Sequence, residues 1–283
     1  MNIGKTSLSK WYLALIFLAA LLLISAIRFD VDALVRGELD KFSSRSGVQL
    51  DFDELTLLGL NAHFSHVSVN SSRFSEAFIF ESVKLVPEWG SLLTGDNVVD
   101  VDLEWQGDAA STVLTQADGK IHLQHIRFEG DVGRISRLVI PYLNSPFPVS
   151  VSGSLEADGE VLLNQISGEP EQGTIAAHWL GAKAGAMGAE FALGDLLMEL
   201  QGNAGQWRWQ LRDGDVGMIE ASGSLEQLAA PVAMWPVQGS VVIDVTKIND
   251  PYLIAWLPDM GEEKKIRLRL SGTLSRPRLD RIK

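Results

Sequence analysis

The chain contains no cysteine among its 283 residues. A disulfide framework, a zinc–thiolate site and a cysteine nucleophile are therefore excluded. The sequence also lacks the Gly-x-Ser-x-Gly and His-Glu-x-x-His patterns, and it has no glycine-rich phosphate-binding loop followed by a helix. We therefore predict that the protein is not an enzyme and that it binds neither a cofactor nor a metal.

Positive charge is scarce, with 24 lysine and arginine residues against 36 acidic ones and a net charge of −12. A general nucleic-acid binder needs clustered positive charge, so this class is disfavoured. The exception is segment 264–283, where eight basic side chains accompany one acid, Asp280. This segment could bind an acidic partner or lipid headgroups. Alternatively, its basic side chains could pair with acidic residues elsewhere in the chain or remain solvated. The candidate interaction surface consists of Lys264, Lys265, Arg267, Arg269, Arg276 and Arg278.

Long apolar runs are also rare, and the one that stands out covers residues 11–27 without a charge. Its length is at the short end of what spans a hydrocarbon core of about 30 Å. Lys5 and Lys10 precede it and the first acid is Asp30, which predicts a cytoplasmic N-terminus. A cleaved signal peptide is the alternative. We predict a retained single-pass anchor in the bacterial inner membrane, formed by Trp11, Tyr12, Leu21, Leu22, Leu23 and Ile27.

The segments on either side of this anchor complete the predicted domain organisation. Residues 1–10 form a cytoplasmic tail, and residues 28–46 form a helical extension, because their apolar residues recur near a period of 3.6. Residues 47–283 then form one β domain, which the anchor orientation places in the periplasm.

Apolar and polar residues alternate in many segments after residue 47, for example in 98–105, 206–213 and 265–272. This two-residue period is typical of an antiparallel sheet with one dry and one wet face. We count roughly fourteen such segments and few short helices. The sequence predicts a mostly β fold, built as one elongated, curved, mainly antiparallel sheet. Turns are predicted at Asp118-Gly119, Asp158-Gly159 and Asp213-Gly214.

One short pattern, Ser-Gly-Ser/Thr-Leu, occurs at Ser152–Leu155, Ser222–Leu225 and Ser271–Leu274. Each copy follows a strand-like segment, and glycine inside a strand often marks a bulge or a bend. The unequal spacing of the copies excludes a solenoid of fixed period. We expect the pattern to mark a shared structural corner, although Ser-Gly is also a common turn dipeptide.

The remaining polar motifs are weak candidates for chemistry. His63 and His66, like His122 and His125, have the His-x-x-His spacing, but residues three apart on a strand point to opposite faces. The alternating acids in 100–104 could bind a divalent cation, although a solvated strand face is the simpler interpretation. We therefore predict no metal site at either motif.

Two stretches resemble known families. The anchor, the helix and the stretch after residue 47 resemble the opening of AsmA-like proteins, in which a strand, a proline, a short helix and Leu-Leu-x-Gly follow one another. Leu85, Pro87, Trp89, Leu92, Leu93 and Gly95 carry this resemblance. The end of the chain is similar to the close of the protein N (GspN) family of type II secretion systems, through Ser271–Leu274, Pro277, Arg278 and Leu279.

The second resemblance implies a non-catalytic, inner-membrane component of the type II secretion system that acts in protein export through periplasmic contacts with other secretion subunits. The first implies an alternative, an AsmA-like lipid-binding or lipid-transfer protein whose open β groove shelters phospholipid acyl chains. The simpler interpretation of the same apolar residues is that they fill a core between the sheet and the short helices. The residues expected to line such a groove are Val99, Val101, Leu103, Trp105, Trp207 and Trp209.

Overall fold

The computed structural model describes residues 31–46, 48–59, 61–71, 78–88, 90–91, 97–139, 149–164, 169–186, 189–214, 218–227, 234–247 and 264–282. The chain divides into two compact units, Met1–Asp51 and Phe52–Lys283.

The first unit contains helix α1 (Val31–Ser46) and the short strand β1 (Val48–Asp51). The helix lies inside the segment for which the sequence predicts one. Arg36 connects the two elements, since its guanidinium lies 3.1 Å from the Asp32 carboxylate and 2.9 Å from that of Asp51. The hydrogen bond that it donates to Asp32 raises the pKa of Arg36 above its ordinary value.

The predicted tail 1–10 and anchor 11–27 lie outside the described residues, and so do all six anchor side chains, Trp11, Tyr12, Leu21, Leu22, Leu23 and Ile27. Across the ranges that are described, no helix is both long enough and apolar enough to cross a bilayer.

The described part of the second unit is almost entirely β-structure. It also contains a second helix, α2 (Val132–Val139), and a 3-10 turn (Val245–Lys247). Its strands are β2 (Glu54–Leu58), β3 (Asn61–Ser71), β4 (Phe78–Pro87), β5 (Asn97–Trp105), β6 (Asp108–Ala117), β7 (Lys120–Asp131), β8 (Val149–Asn164), β9 (Pro170–Ala186), β10 (Ala189–Asn203), β11 (Gln206–Asp213), β12 (Ile219–Glu226), β13 (Val237–Asp244), β14 (Lys265–Thr273) and β15 (Arg276–Arg281).

The order of the strands in the sheet follows their order in the chain from β3 to β15, and β2 pairs with β3. Each of these pairings is antiparallel. The prediction of a mostly β fold with one large antiparallel sheet and few helices is therefore confirmed.

Several hairpins close through two-residue turns in which both residues have positive φ. Asp118 and Gly119 have φ of 50° and 73° and connect β6 to β7, as the sequence predicts. Such turns match the right-handed twist of the flanking strands. The turn predicted at Asp158-Gly159 is wrong, because both residues lie inside β8 and pair with β9. The alternation of apolar and polar residues continues on both sides of this pair. The segment therefore forms a strand instead of a turn.

Helix α2 is a helix that the sequence analysis did not predict. Asp131 caps it, since its side-chain oxygen accepts a hydrogen bond of 2.9 Å from the Arg134 backbone N–H. The Arg134 guanidinium in turn lies 2.9 Å from the carboxylate of Asp108, which is only 3% exposed. This buried ion pair connects the helix to the start of β6.

Burial follows the alternation along the strands. In β5 the apolar side chains of Val99, Val101, Leu103 and Trp105 are half-buried, whereas the three acids between them are exposed. Strands β11 and β14 show the same period. The most buried apolar side chains of the described chain are Phe52, Val161, Ala182, Leu196, Trp207, Met218, Trp235, Val237 and Ile266.

Candidate functional site

One face of the sheet carries a continuous row of apolar residues, one from each strand between β2 and β14. Each member lies directly opposite the next in the strand register. At a strand spacing of about 4.8 Å the row is roughly 58 Å long, measured along the sheet. We call it the apolar row: Leu55, Phe64, Val83, Leu103, Ala110, Phe128, Ala157, Ala177, Met198, Leu211, Ala221, Val241 and Leu268.

The register brings the two predicted groove sets together on this face. Leu103 and Leu211 both belong to the apolar row. Residues two and four positions away share their face, so Val99, Val101 and Trp105 lie on the same side as Trp207 and Trp209. The sequence identified the members of each set, but only the register shows that they form one surface.

This surface has no second sheet over it within the described residues, because strands β2–β15 all belong to one sheet. Most of its side chains are half-buried by their neighbours, and Trp207 is 3% exposed. An apolar face of this extent needs either a covering element or a ligand to complete its burial.

Tryptophan rings on this face lie over glycines of neighbouring strands. A Cβ at Gly202 would overlap the Trp207 ring, and one at Gly223 or Gly239 would lie 2.7 or 2.8 Å from Cζ2 of Trp209. Real Cβ atoms do not approach other atoms so closely. At Gly223 the Cβ would also overlap a backbone oxygen of the neighbouring strand, and at Gly239 it would lie 2.5 Å from one, so the ring and the backbone together require glycine. The Trp209 indole nitrogen is buried and has no hydrogen-bond partner among the described residues.

The same arrangement explains part of the repeated Ser-Gly-Ser/Thr-Leu pattern. Gly223 lies under Trp209, and a Cβ at Gly153 would lie 2.5 Å from Nε1 of Trp179. The expected backbone irregularity occurs at Gly153 and Gly272, which have φ of 126° and 104°. It does not occur at Gly223, where the pairing is regular. The first two copies therefore have a tryptophan contact in common. They do not have a bend in common, because only Gly153 of the two glycines has an irregular backbone.

The opposite face of the sheet is polar. Asp100, Asp102 and Glu104 lie on it, and Lys84 is 3.7 Å from the Asp102 carboxylate. A cavity of about 810 Å³ opens on this face between β4 and β11. Its charged lining includes Glu104, Arg127, Glu129, Glu156, Asp158 and Arg212.

The predicted basic surface lies at the end of the sheet, on β14, β15 and the residue before β14. Lys265 is 3.9 Å from the Asp244 carboxylate, and the hydrogen bond from the Thr246 side chain is the largest cause of the lowered pKa of Asp244. All six residues of β15 are exposed. Lys264, Arg267, Arg269, Arg276 and Arg278 are exposed and form no ion pair with a described residue.

The two residues of each His-x-x-His pair have different surroundings. His66 and His125 have φ of 50°. The register of β7 with β8 shifts around His125, as expected for a β-bulge, whereas the register of β3 with β4 is the same on both sides of His66. His63 instead lies 3.0 Å from the Ser82 hydroxyl, and His122 lies 3.8 Å from Glu160. Within the parts of the chain that the structure describes, no three histidine or acidic side chains come together to hold a metal ion.

Comparison with known proteins adds no further assignment, because no family model, no curated protein and no solved structure matches this chain. The functional argument therefore rests on the apolar face, the basic end of the sheet and the resemblances of the sequence.

Proposed function

We propose that the protein is a non-catalytic component of a bacterial type II secretion system, anchored in the inner membrane with its bulk in the periplasm. It acts in protein export through contacts with other secretion subunits. The resemblance of residues 268–279 to the close of protein N of these systems motivates the proposal. The observation that carries it is that the residues of this resemblance form the β14–β15 hairpin, which presents an exposed terminal strand.

The geometry of β15 specifies how a partner could attach. The Ile282 backbone N–H donates to the Arg267 carbonyl at 2.9 Å. Since N–H groups alternate in direction along an antiparallel strand, the N–H of Leu279 points away from β14. Pro277 has no N–H, and on this outer edge it costs the sheet no hydrogen bond. A partner strand can therefore pair with the second half of β15, where Leu279 supplies a donor.

A deletion strain tests the proposal by the fraction of a type II substrate that is trapped in the periplasm. We expect trapping without the gene and normal export when a plasmid supplies the wild-type chain. Leu279→Pro removes the outward N–H while leaving the β14–β15 ladder intact, so it should fail to restore export. Leu279→Ala is the matched control and should restore it. Normal export in the deletion strain would contradict the secretion role.

A second candidate is binding of phospholipid on the apolar face, as the AsmA-like resemblance implies. The apolar row supports it, since it forms a continuous surface across thirteen strands. A photo-crosslinking residue at Ala177, on the apolar row, should capture phospholipid in cells. The same residue at Ala176, on the polar face, is the control. Equal capture at both positions, or none at Ala177, would exclude this function.

A further inference from the structure

The arginines of the last hairpin form a cluster on one face of the sheet. Arg269 lies opposite Asp280, and Ser271 lies opposite Arg278. This register places Arg267 and Arg269 of β14 on the same face as Arg276 and Arg278 of β15. Diagonal neighbours in a sheet are about 7–8 Å apart, so these cations concentrate positive charge at one end of the polar face.

This cluster differs from two other basic residues of the sheet, which form ion pairs with acids. Lys183 lies 2.9 Å from Glu190, and Arg212 lies 3.2 Å from Glu199. The four arginines have no such partner among the described residues, although the chain carries 36 acids. Like charges so close together repel each other in the free protein. A bound anionic surface would relieve this repulsion.

The surroundings of the cluster favour a lipid surface over a single anion or an acidic protein. The arginines are exposed on two neighbouring strands. They do not line the cavity of about 810 Å³ on the polar face, so they present an array of cations rather than a pocket. One exposed apolar side chain accompanies them, since Ile282 is 40% exposed and its backbone N–H is bonded to Arg267 in the continuation of the β14–β15 register. Basic residues next to exposed apolar ones are typical of surfaces that bind the membrane interface.

We propose that the β14–β15 hairpin docks on an anionic phospholipid surface through Arg267, Arg269, Arg276 and Arg278, with Ile282 entering the headgroup region. The acidic remainder of the polar face is repelled by the same surface, so that only this end of the sheet approaches it. The contact is separate from the predicted anchor and does not depend on the secretion role.

The test uses the full chain inserted in nanodiscs of phosphatidylcholine, so that the predicted anchor is already occupied. Binding is measured to free vesicles of phosphatidylcholine containing 30% phosphatidylglycerol, and to vesicles of phosphatidylcholine alone. We expect binding to the anionic vesicles only. Binding should weaken between 0.1 and 1 M salt, because the screening length falls from about 10 to about 3 Å.

The decisive variant replaces Arg267, Arg269, Arg276 and Arg278 together by glutamine. Its affinity for the anionic vesicles should fall by about fivefold for each arginine removed. The control variant replaces Lys84, Lys120, Lys183 and Arg208 by glutamine, which changes the net charge by the same amount at other places on the sheet. Far-UV circular dichroism confirms that both variants keep the fold.

The outcomes separate a local docking surface from a general effect of charge. Loss of binding in the arginine variant with retention in the control variant supports the proposal. Equal loss in both variants shows dependence on net charge alone and overturns it. Equal binding of the wild-type chain to both kinds of vesicle, or binding to neither, also overturns it. A further variant, Ile282→Ser, should weaken binding while keeping the salt dependence, whereas Leu279→Ser, on the opposite face, should leave binding unchanged.

Discussion

The two faces of the sheet are made from the same strands but depend on different interactions. On β11, Trp207 and Trp209 lie against glycines of the neighbouring strands, whereas Arg208 between them is exposed on the other face. The apolar face is stabilised by close contacts between tryptophan rings and the backbone of glycines on neighbouring strands. The polar face carries charges that are far apart or weakly paired, with side chains that extend into water.

This difference predicts how each face tolerates change. Close packing leaves no space for extra atoms and leaves a cavity when a ring is removed. An exposed ion pair contributes little, because solvent already stabilises both charges. Substitutions at adjacent positions of one strand should therefore differ greatly in effect, according to the face on which the side chain lies.

The largest effect is expected for Trp207→Ala. Trp207 is 3% exposed and lies over Gly202, so its removal should lower the free energy of unfolding by about 3–5 kcal/mol. Arg208→Ala, one residue later on the polar face, should change it by less than about 0.5 kcal/mol. Urea unfolding followed by far-UV circular dichroism measures both. Similar losses in the two variants would mean that the faces do not differ in this way.

An intermediate effect is expected for Gly223→Ala. The new methyl group would meet Cζ2 of Trp209 and the Gln238 carbonyl oxygen, which should cost about 1–3 kcal/mol of stability. Ser222→Ala in the same motif is exposed and should cost almost nothing. In a double-mutant cycle, Trp209→Ala should reduce the cost of Gly223→Ala, since it removes one of the three atoms that the methyl group would meet. The other two are the Gln238 carbonyl oxygen and Cα of Gly239. Strict additivity would contradict the contact.

The smallest effect concerns pH. The hydrogen bond from Asn164, followed by that from Lys120, holds the pKa of Glu171 below its ordinary value of 4.5. A carboxyl group whose pKa is lowered by folding contributes stability above its unfolded pKa, and this contribution is lost as the pH falls through the folded pKa. Glu171→Gln should therefore flatten the stability profile below about pH 5. Gln172→Ala should keep the wild-type profile, and an unchanged Glu171→Gln profile would contradict the prediction.

Much of the fold was accessible from the sequence because its signals are local. Alternation identified the strands and assigned Trp207 and Arg208 to opposite faces, and Asp118-Gly119 identified its own turn. The turn predicted at Asp158-Gly159 is wrong because Asp-Gly can also adopt an extended conformation. Pairing of this part of β8 with β9 stabilises that conformation. Helix α2 was missed, although Asp131 as a cap and the 3.6-residue spacing of Val132 and Ile135 were visible signals.

The site was less accessible, because its contacts join residues distant in the sequence. The apolar row can be recognised only once the register of every strand pair is known, and no local pattern predicts the bulge around His125 that shifts part of this register. Likewise, Gly239 gives no sign in the sequence that it lies under Trp209. The basic residues of 264–283 were visible as a composition, but their common face required the pairing of β14 with β15.

The chain-order arrangement of the sheet has a consequence for how it assembles. Since each strand from β3 to β15 pairs with its predecessor, it can join the sheet as soon as that predecessor is in place, and most strand pairs close only a short loop. Loop closure of this kind carries a low entropic cost and avoids the long-range pairings that slow the folding of many β proteins. No last strand has to return to the first one. The sheet can therefore grow in the direction in which the polypeptide is synthesised, one hairpin after another.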